Sequence, residues 1–258
     1  MLEGFYTAAS GVLMEQRNFE VLANNMSNTN TPGFRASRLM SSSFKQTYMT
    51  ILENGKYTYI GQSDPIRVVD DVTTEFNADL LQETGRPFDM ALNGEGYFTI
   101  QGGDGETAYL TRNGAFDIDE EGYLILPDKG RVLGEKGPIQ VGGSDFTVFL
   151  DGTVLDKNGK TLDRLLIQAP SAQEDGEGGA GQALTKYQNG LYRITDGEAL
   201  EQVNTPVYQQ VLERSNVDLN REYTQMMTAQ RTFQSCSAAL KAIDAINEKA
   251  ASRIGSVN

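Results

Sequence analysis

Histidine is absent from the 258 residues of this chain, which removes the commonest general base from its chemistry. Without an imidazole, Ser-His and Cys-His nucleophile pairs and histidine-ligated zinc sites are excluded. Paired carboxylates can cleave glycosides without histidine. The densest candidates are Asp117, Asp119, Glu120 and Glu121, but they alternate with Phe116 and Ile118 as the solvent face of a strand and turn would. Among 35 acidic residues, no pair is singled out. Gly159-Lys160-Thr161 matches the end of a phosphate loop, yet Val154 stands where the first hinge glycine is required. Asp156-Lys157-Asn158-Gly159 starts like a calcium loop, but Lys160 replaces an oxygen ligand and no glutamate closes the ring. Both stretches read as hairpin turns. Cys236, the single cysteine, precludes an intramolecular disulfide and suits a small buried position. No catalytic, metal or cofactor-binding residue is therefore assigned. The amides of Asn24, Asn25 and Asn28 have a different use, since they cluster where a helix ends and backbone groups need partners.

Those amides are positioned by one of two apolar helices at the ends of the chain. Phe5, Val12, Phe19 and Met26 recur at seven-residue steps, with Ala8 and Leu22 in a second row. Leu219, Met226, Phe233, Leu240, Asn247 and Ile254 repeat the spacing near the other end, with Ala229, Cys236, Ile243 and Ala250 beside them. Such narrow seams are made for other helices, either as an intramolecular hairpin or between subunits. The first helix is expected over residues 3–28, weakened by Gly4 and Gly11 at roughly 1 kcal/mol each. Thr31-Pro32-Gly33-Phe34 then turns the chain, with Thr31, Gly33 and Phe34 setting a bend.

Charge is distributed to suit this plan. Residues 1–45 hold three acids against four bases and residues 216–258 hold four against five, so each end is about +1 and the middle about −15, for a formal charge of −13. Nearly neutral ends pack closely while the middle repels its neighbours. An acidic surface without a basic stripe argues against nucleic acid and anionic membranes. No run of eighteen apolar residues predicts membrane insertion, and Met1-Leu2-Glu3-Gly4 lacks the features of a cleaved signal peptide.

Between the ends, short alternating runs are broken by Asn93-Gly94, Asn113-Gly114, Glu121-Gly122, Asp151-Gly152, Asn158-Gly159, Asn189-Gly190 and Asp196-Gly197. Asn-Gly beside alternating strands is a hairpin signal, so the middle is expected to be antiparallel β, a small barrel or folded sheet. Residues 171–183 are low-complexity and expected as a surface loop. The fold class is α+β, with helices at both ends forming a coiled-coil-like assembly domain around an antiparallel β-rich domain. The expected divisions are 1–34 (N-terminal helical segment), 35–65 (connector), 66–205 (β-rich domain) and 206–258 (return segment and helix).

Three segments also carry a resemblance. Thr7-Ala8-Ala9-Ser10-Gly11-Val12-Leu13 with Leu22 through Arg35, then Leu92 through Phe98 with Tyr109 through Phe116, then Ser215 through Leu219 with Met226 through Phe233, closely resemble the motifs of bacterial flagellar rod and hook proteins, in family order. The resemblance implies a non-enzymatic subunit whose terminal helices form the inner layer of a tubular helical homopolymer, with the β domain outside. It implies contacts with other rod and hook axial proteins, and unfolded passage through the flagellar type III export apparatus without a cleaved signal, to the basal body in the cell envelope. The length suits a rod subunit, of distal or proximal type, better than a hook subunit. Ordinary helix termination accounts for Asn24, Asn25, Asn28, Thr31, Gly33 and Phe34 within one chain; the resemblance adds an interface role for them and for the seam rows. The alternative is a cell-envelope carbohydrate-binding module or histidine-free glycosidase with helical arms.

Overall fold

The computed structural model describes residues 2–43, 47–53, 56–63, 67–75, 80–102, 107–171, 184–188, 190–194 and 199–255. They fall into two compact units, one of residues 1–26, 37–73 and 218–258 and one of residues 27–36 and 74–217. Helices stand at both ends and antiparallel strands between them, so the chain is α+β as its patterning requires.

In the first unit, α1 (Leu2–Ser27) and α2 (Leu219–Gly255) lie antiparallel. The direction follows from their contacts, Asn25 with Glu222, Phe19 with Phe233 and Gly4 with Ile243. Asp218 caps α2, its Oδ1 accepting the backbone N–H groups of Asn220 at 2.9 Å and Arg221 at 3.3 Å, two of the donors a helix start leaves open. Gly11 weakens α1 in isolation but admits α2 closely: a Cβ there would lie 3.0 Å from Cys236 Sγ. The glycine's local cost is thus offset by helix packing.

The stretch expected as a connector carries strands. Ser37–Ser43 pairs with Arg67–Thr74, and Thr47–Glu53 forms a hairpin with Lys56–Ser63 in a register running from Thr47↔Ser63 to Glu53↔Lys56. Serines and threonines there mask the apolar alternation that would announce a strand, while β-branched and aromatic residues supply the propensity.

In the second unit the main sheet runs Leu184–Gln188, Leu191–Ile194, Ala108–Thr111, Tyr97–Gln101, Gly130–Gly134, Leu124–Leu126, Asp117–Ile118, with Ile167–Pro170 also pairing Tyr97–Gln101. Every pairing in it is antiparallel. Phe98 and Phe116 meet edge to face at 5.2 Å inside a core shared with Ile100, Leu124, Val132 and Leu165. The turns at Asp151-Gly152 and Asn158-Gly159 join Phe146–Val148, Thr153–Asp156 and Thr161–Arg164 into a three-stranded meander. Asn158 Nδ2 donates to Asp156 Oδ2 at 3.0 Å, so that stretch fastens a hairpin. Asn113-Gly114 corrects the hairpin reading: the strands flanking it, Ala108–Thr111 and Asp117–Ile118, do not pair with each other. Gly114 instead lies against the Met90 backbone, whose N–H donates to its carbonyl at 3.0 Å, and a Cβ would collide there. Residues 172–183 of the expected low-complexity loop and the turn at Asp196-Gly197 lie outside the described residues.

Candidate assembly interface

Near the end of α1, Asn25 is fully buried and holds the strand that follows. Its Oδ1 accepts the Ser37 N–H at 2.9 Å and its Nδ2 donates to the Ser37 carbonyl at 2.9 Å, as a neighbouring strand would. Nδ2 also donates to Glu222 Oε2 at 3.1 Å. Glu222, in the first turn of α2, is fully buried too, and Arg38 Nη1 reaches its Oε1 at 2.6 Å and Gln225 Oε1 at 2.8 Å. The carboxylate is thereby paired and hydrogen-bonded, the condition for burying a charge. The expectation gave Asn25 the end of its own helix to satisfy; the structure gives it a strand twelve positions on.

In the second unit, Thr31-Pro32-Gly33-Phe34-Arg35 is held by backbone and charge. The Thr31 N–H donates to the Asn28 carbonyl at 3.1 Å and the Thr31 hydroxyl to Asn28 Oδ1 at 3.1 Å, closing the turn. Gly33 has φ 65°, and a Cβ there would collide with the Arg112 backbone. Its N–H donates to the Glu213 carbonyl at 2.8 Å. Phe34 is fully buried with Ala36 and Val217, and Lys186 Nζ stands 3.9 Å from its ring centroid while donating to the Arg35 carbonyl at 3.0 Å. Asn216 spans the next residue: its Oδ1 accepts the Ala36 N–H at 2.7 Å and its Nδ2 donates to the Glu75 carbonyl at 2.9 Å.

Beneath the turn, Arg35 and Arg112 flank one carboxylate. Arg35 Nη2 lies 2.5 Å from Glu213 Oε1, and Arg112 Nη1 lies 3.5 Å from Oε2. Arg112 also donates to the Gly94 carbonyl at 2.6 Å and stacks over Tyr97. Burial pushes the Arg112 guanidinium below its ordinary value, against the pull of Glu213, and raises Tyr97 and Tyr192. Burial likewise lowers Lys186 to about 8. Two buried guanidinium groups sharing one carboxylate make a costly junction.

The seam residues sit as follows. Leu22 is buried; Phe5, Val12, Phe19 and Met26 on α1 and Met226, Phe233, Leu240 and Ile243 on α2 are half-buried; Leu219 is exposed. Phe19 meets Phe233 edge to face at 6.3 Å. Asn24 and Thr31 are half-buried and Asn28 is buried, whereas the Ile254 side chain lies outside the described residues. Sequence reasoning missed Arg35, Glu213 and Glu222, whose partners stand 178 to 197 positions away. It also missed exposed apolar side chains, Tyr6 and Leu13 on α1 with Tyr223, Met227 and Ile246 on α2.

The acidic cluster 117–121 fastens a turn. Despite desolvation, the Tyr123 N–H and Arg131 hold Asp119 below its ordinary value, and Arg131 Nη2 also pairs with Glu121 at 2.7 Å.

Three family models match, and they cover the same three segments that carry the motifs. Residues 5–35 match the flagella basal body rod protein family, residues 91–174 the flagellar hook protein FlgE/F/G D1 domain, and residues 208–253 the flagellar basal body rod FlgEFG protein C-terminal region. The chain is 34% identical to the flagellar basal-body rod protein FlgG of Bacillus subtilis, over 95% of its own length and 97% of the relative's. It is 30% identical to FlgG of Agrobacterium fabrum over 92% and 94%, and 27% identical to the rod protein FlgF of Caulobacter vibrioides over the whole of both. The glycan-directed alternative finds no support in these matches. With motif order, terminal helices and full-length similarity in agreement, the chain belongs to the flagellar basal-body rod protein family, as a structural subunit of the rod.

Proposed function

We propose that copies of this chain polymerise through α1 and α2 into the helical tube of the rod, with the seam rows and the turn 28–35 at or beside the contacts between subunits. A contact that repeats without closing generates a filament, and many lateral helix contacts make it stiff enough to carry torque. Other rod and hook axial proteins continue the tube, in the basal body within the cell envelope. The subunit travels there through the flagellar type III export apparatus. One observation carries this reading: α1 and α2 pack on each other yet leave large apolar side chains exposed, Leu13 at 66% and Tyr223 at 57% among them.

A photo-cross-linking residue at Tyr223 tests it in assembled basal bodies. Adducts with a second copy or with another axial protein are expected. Adducts confined to the chain's own residues contradict it.

A further inference from the structure

The most buried row of α1 is Ala8, Glu15 and Leu22, so a carboxylate interrupts the apolar seam where α2 packs. Glu15 is 7% exposed, and the Asn18 amide at 3.2 Å is its hydrogen-bond donor. Its Oε1 takes no donor among the described residues and opens to the cleft. The side chain lines a cleft of about 360 Å³ in which an apolar strip of Val21, Leu22 and Leu39 faces the hydroxyls of Thr224, Thr228 and Thr232. The guanidinium at its rim, Arg38, is committed to Glu222 and Gln225. The cleft therefore keeps one carboxylate without an ion-pair partner of its own among the described residues, beside an apolar strip.

The complement lies at the far end of the same unit. α2 continues from Ile243, which faces Gly4, to Gly255, about 18 Å of helix, most of it running past the described start of α1. On that extension Ile246 is 56% exposed, and Lys249 follows three residues later on the same face, exposed and without an ion-pair partner among the described residues. An apolar side chain beside an ammonium suits a cleft with an apolar strip and a carboxylate. Along α2, Lys249 stands about 31 Å from Thr228 of its own cleft, so it cannot fill it. Arg231 and Arg221, the exposed bases near the cleft, share its end of the helix pair and would bring copies together side by side. Lys249 instead joins opposite ends of successive copies, the head-to-tail contact an open polymer needs.

We infer that Lys249 of one copy seats against Glu15 of the next, with Ile246 against the apolar strip of the cleft. This deepens the rod reading and rests on it. The test expresses full-length Glu15→Lys, Lys249→Glu and the double variant as the only copy in the cell, and measures the chain's content in purified basal bodies. Each single change should lower incorporation at least tenfold, and the double change should restore it to within twofold, because each copy then presents the swapped pair. Lys249→Glu lies on the exposed extension, so its purified monomer should melt like the parent. Normal incorporation of Lys249→Glu overturns the contact and leaves the rod reading standing, whereas a parent chain absent from basal bodies overturns both. Should Glu15→Lys misfold, chains carrying Glu15→Cys and chains carrying Lys249→Cys, both in a Cys236→Ser background, are co-expressed and oxidised. A disulfide-linked dimer in basal bodies supports the contact, and its absence overturns it.

Discussion

Arg35 and Glu213, 178 positions apart, form an ion pair of 2.5 Å with each side chain 2% exposed. The pair fixes the turn that leaves α1 to the strand Val211–Glu213 that leads toward α2. Removing one partner of a buried pair leaves a charge with inadequate compensation, at a cost of about 3–5 kcal/mol. Arg35→Ala should destabilise the second unit by that order in urea unfolding. Arg35→Lys keeps a cation beside Glu213 and leaves Arg112 its partner, so it should recover part of the loss, and an Arg35→Lys variant as unstable as Arg35→Ala contradicts the account.

The ammonium of Lys186 gives this junction a pH signature. Burial lowers it from 10.5 to about 8, beside the Phe34 ring and the Arg35 carbonyl, with Tyr192 opposite it in the strand register. Between about 8 and 10.5 the unfolded chain holds a proton there that the folded chain has released, so stability should rise with pH across that window. Lys186→Met should flatten this part of the stability curve, measured by thermal melts at constant ionic strength. An unchanged slope would rule out the burial of this group as its cause.

Asn25 replaces a strand partner for Ser37 and a donor for Glu222 at once. Asn25→Ala should cost about 1–3 kcal/mol, the penalty for leaving buried polar groups unsatisfied. Asn25→Asp should cost more, since a carboxylate replaces the donor facing Glu222. Hydrogen exchange should locate the loss at the Ser37 amide and the first turn of α2. Uniform protection in both variants would contradict the assigned role.

The helices were legible in the sequence because their apolar rows repeat over several turns: α1 begins and ends within a residue of the expected bounds, and α2 starts at Leu219, the first residue of its expected row. The β character was legible too, but its pairing was not. Asn113-Gly114 shows why: the same dipeptide serves a hairpin or a close approach of backbones, and only the path of a distant strand, Met90–Leu92, decides. At the junctions, Asn25, Gly33 and Phe34 stood out through their setting at a helix end. Glu213 and Glu222 did not, since an acid gives no local sign of a partner that folding brings from the other end of the chain. Heptad spacing identified the rows that close the helix pair and overlooked the apolar side chains that pair leaves exposed. Phe233 packs on Phe19 within the unit, so a charge at Phe233 would disturb the monomer as well as any assembly.

Leu13 separates those two effects and tests the claim that this chain assembles through its terminal helices. At 66% exposed, Leu13→Asp should change monomer stability by no more than about 0.5 kcal/mol. Buried between subunits, the same carboxylate costs several kcal/mol in every copy. The measurement is the amount of this chain in basal bodies purified from cells whose only copy carries Leu13→Asp. The account predicts a loss of at least tenfold together with an unchanged monomer melt; incorporation at the parental level, with swimming intact, would contradict it.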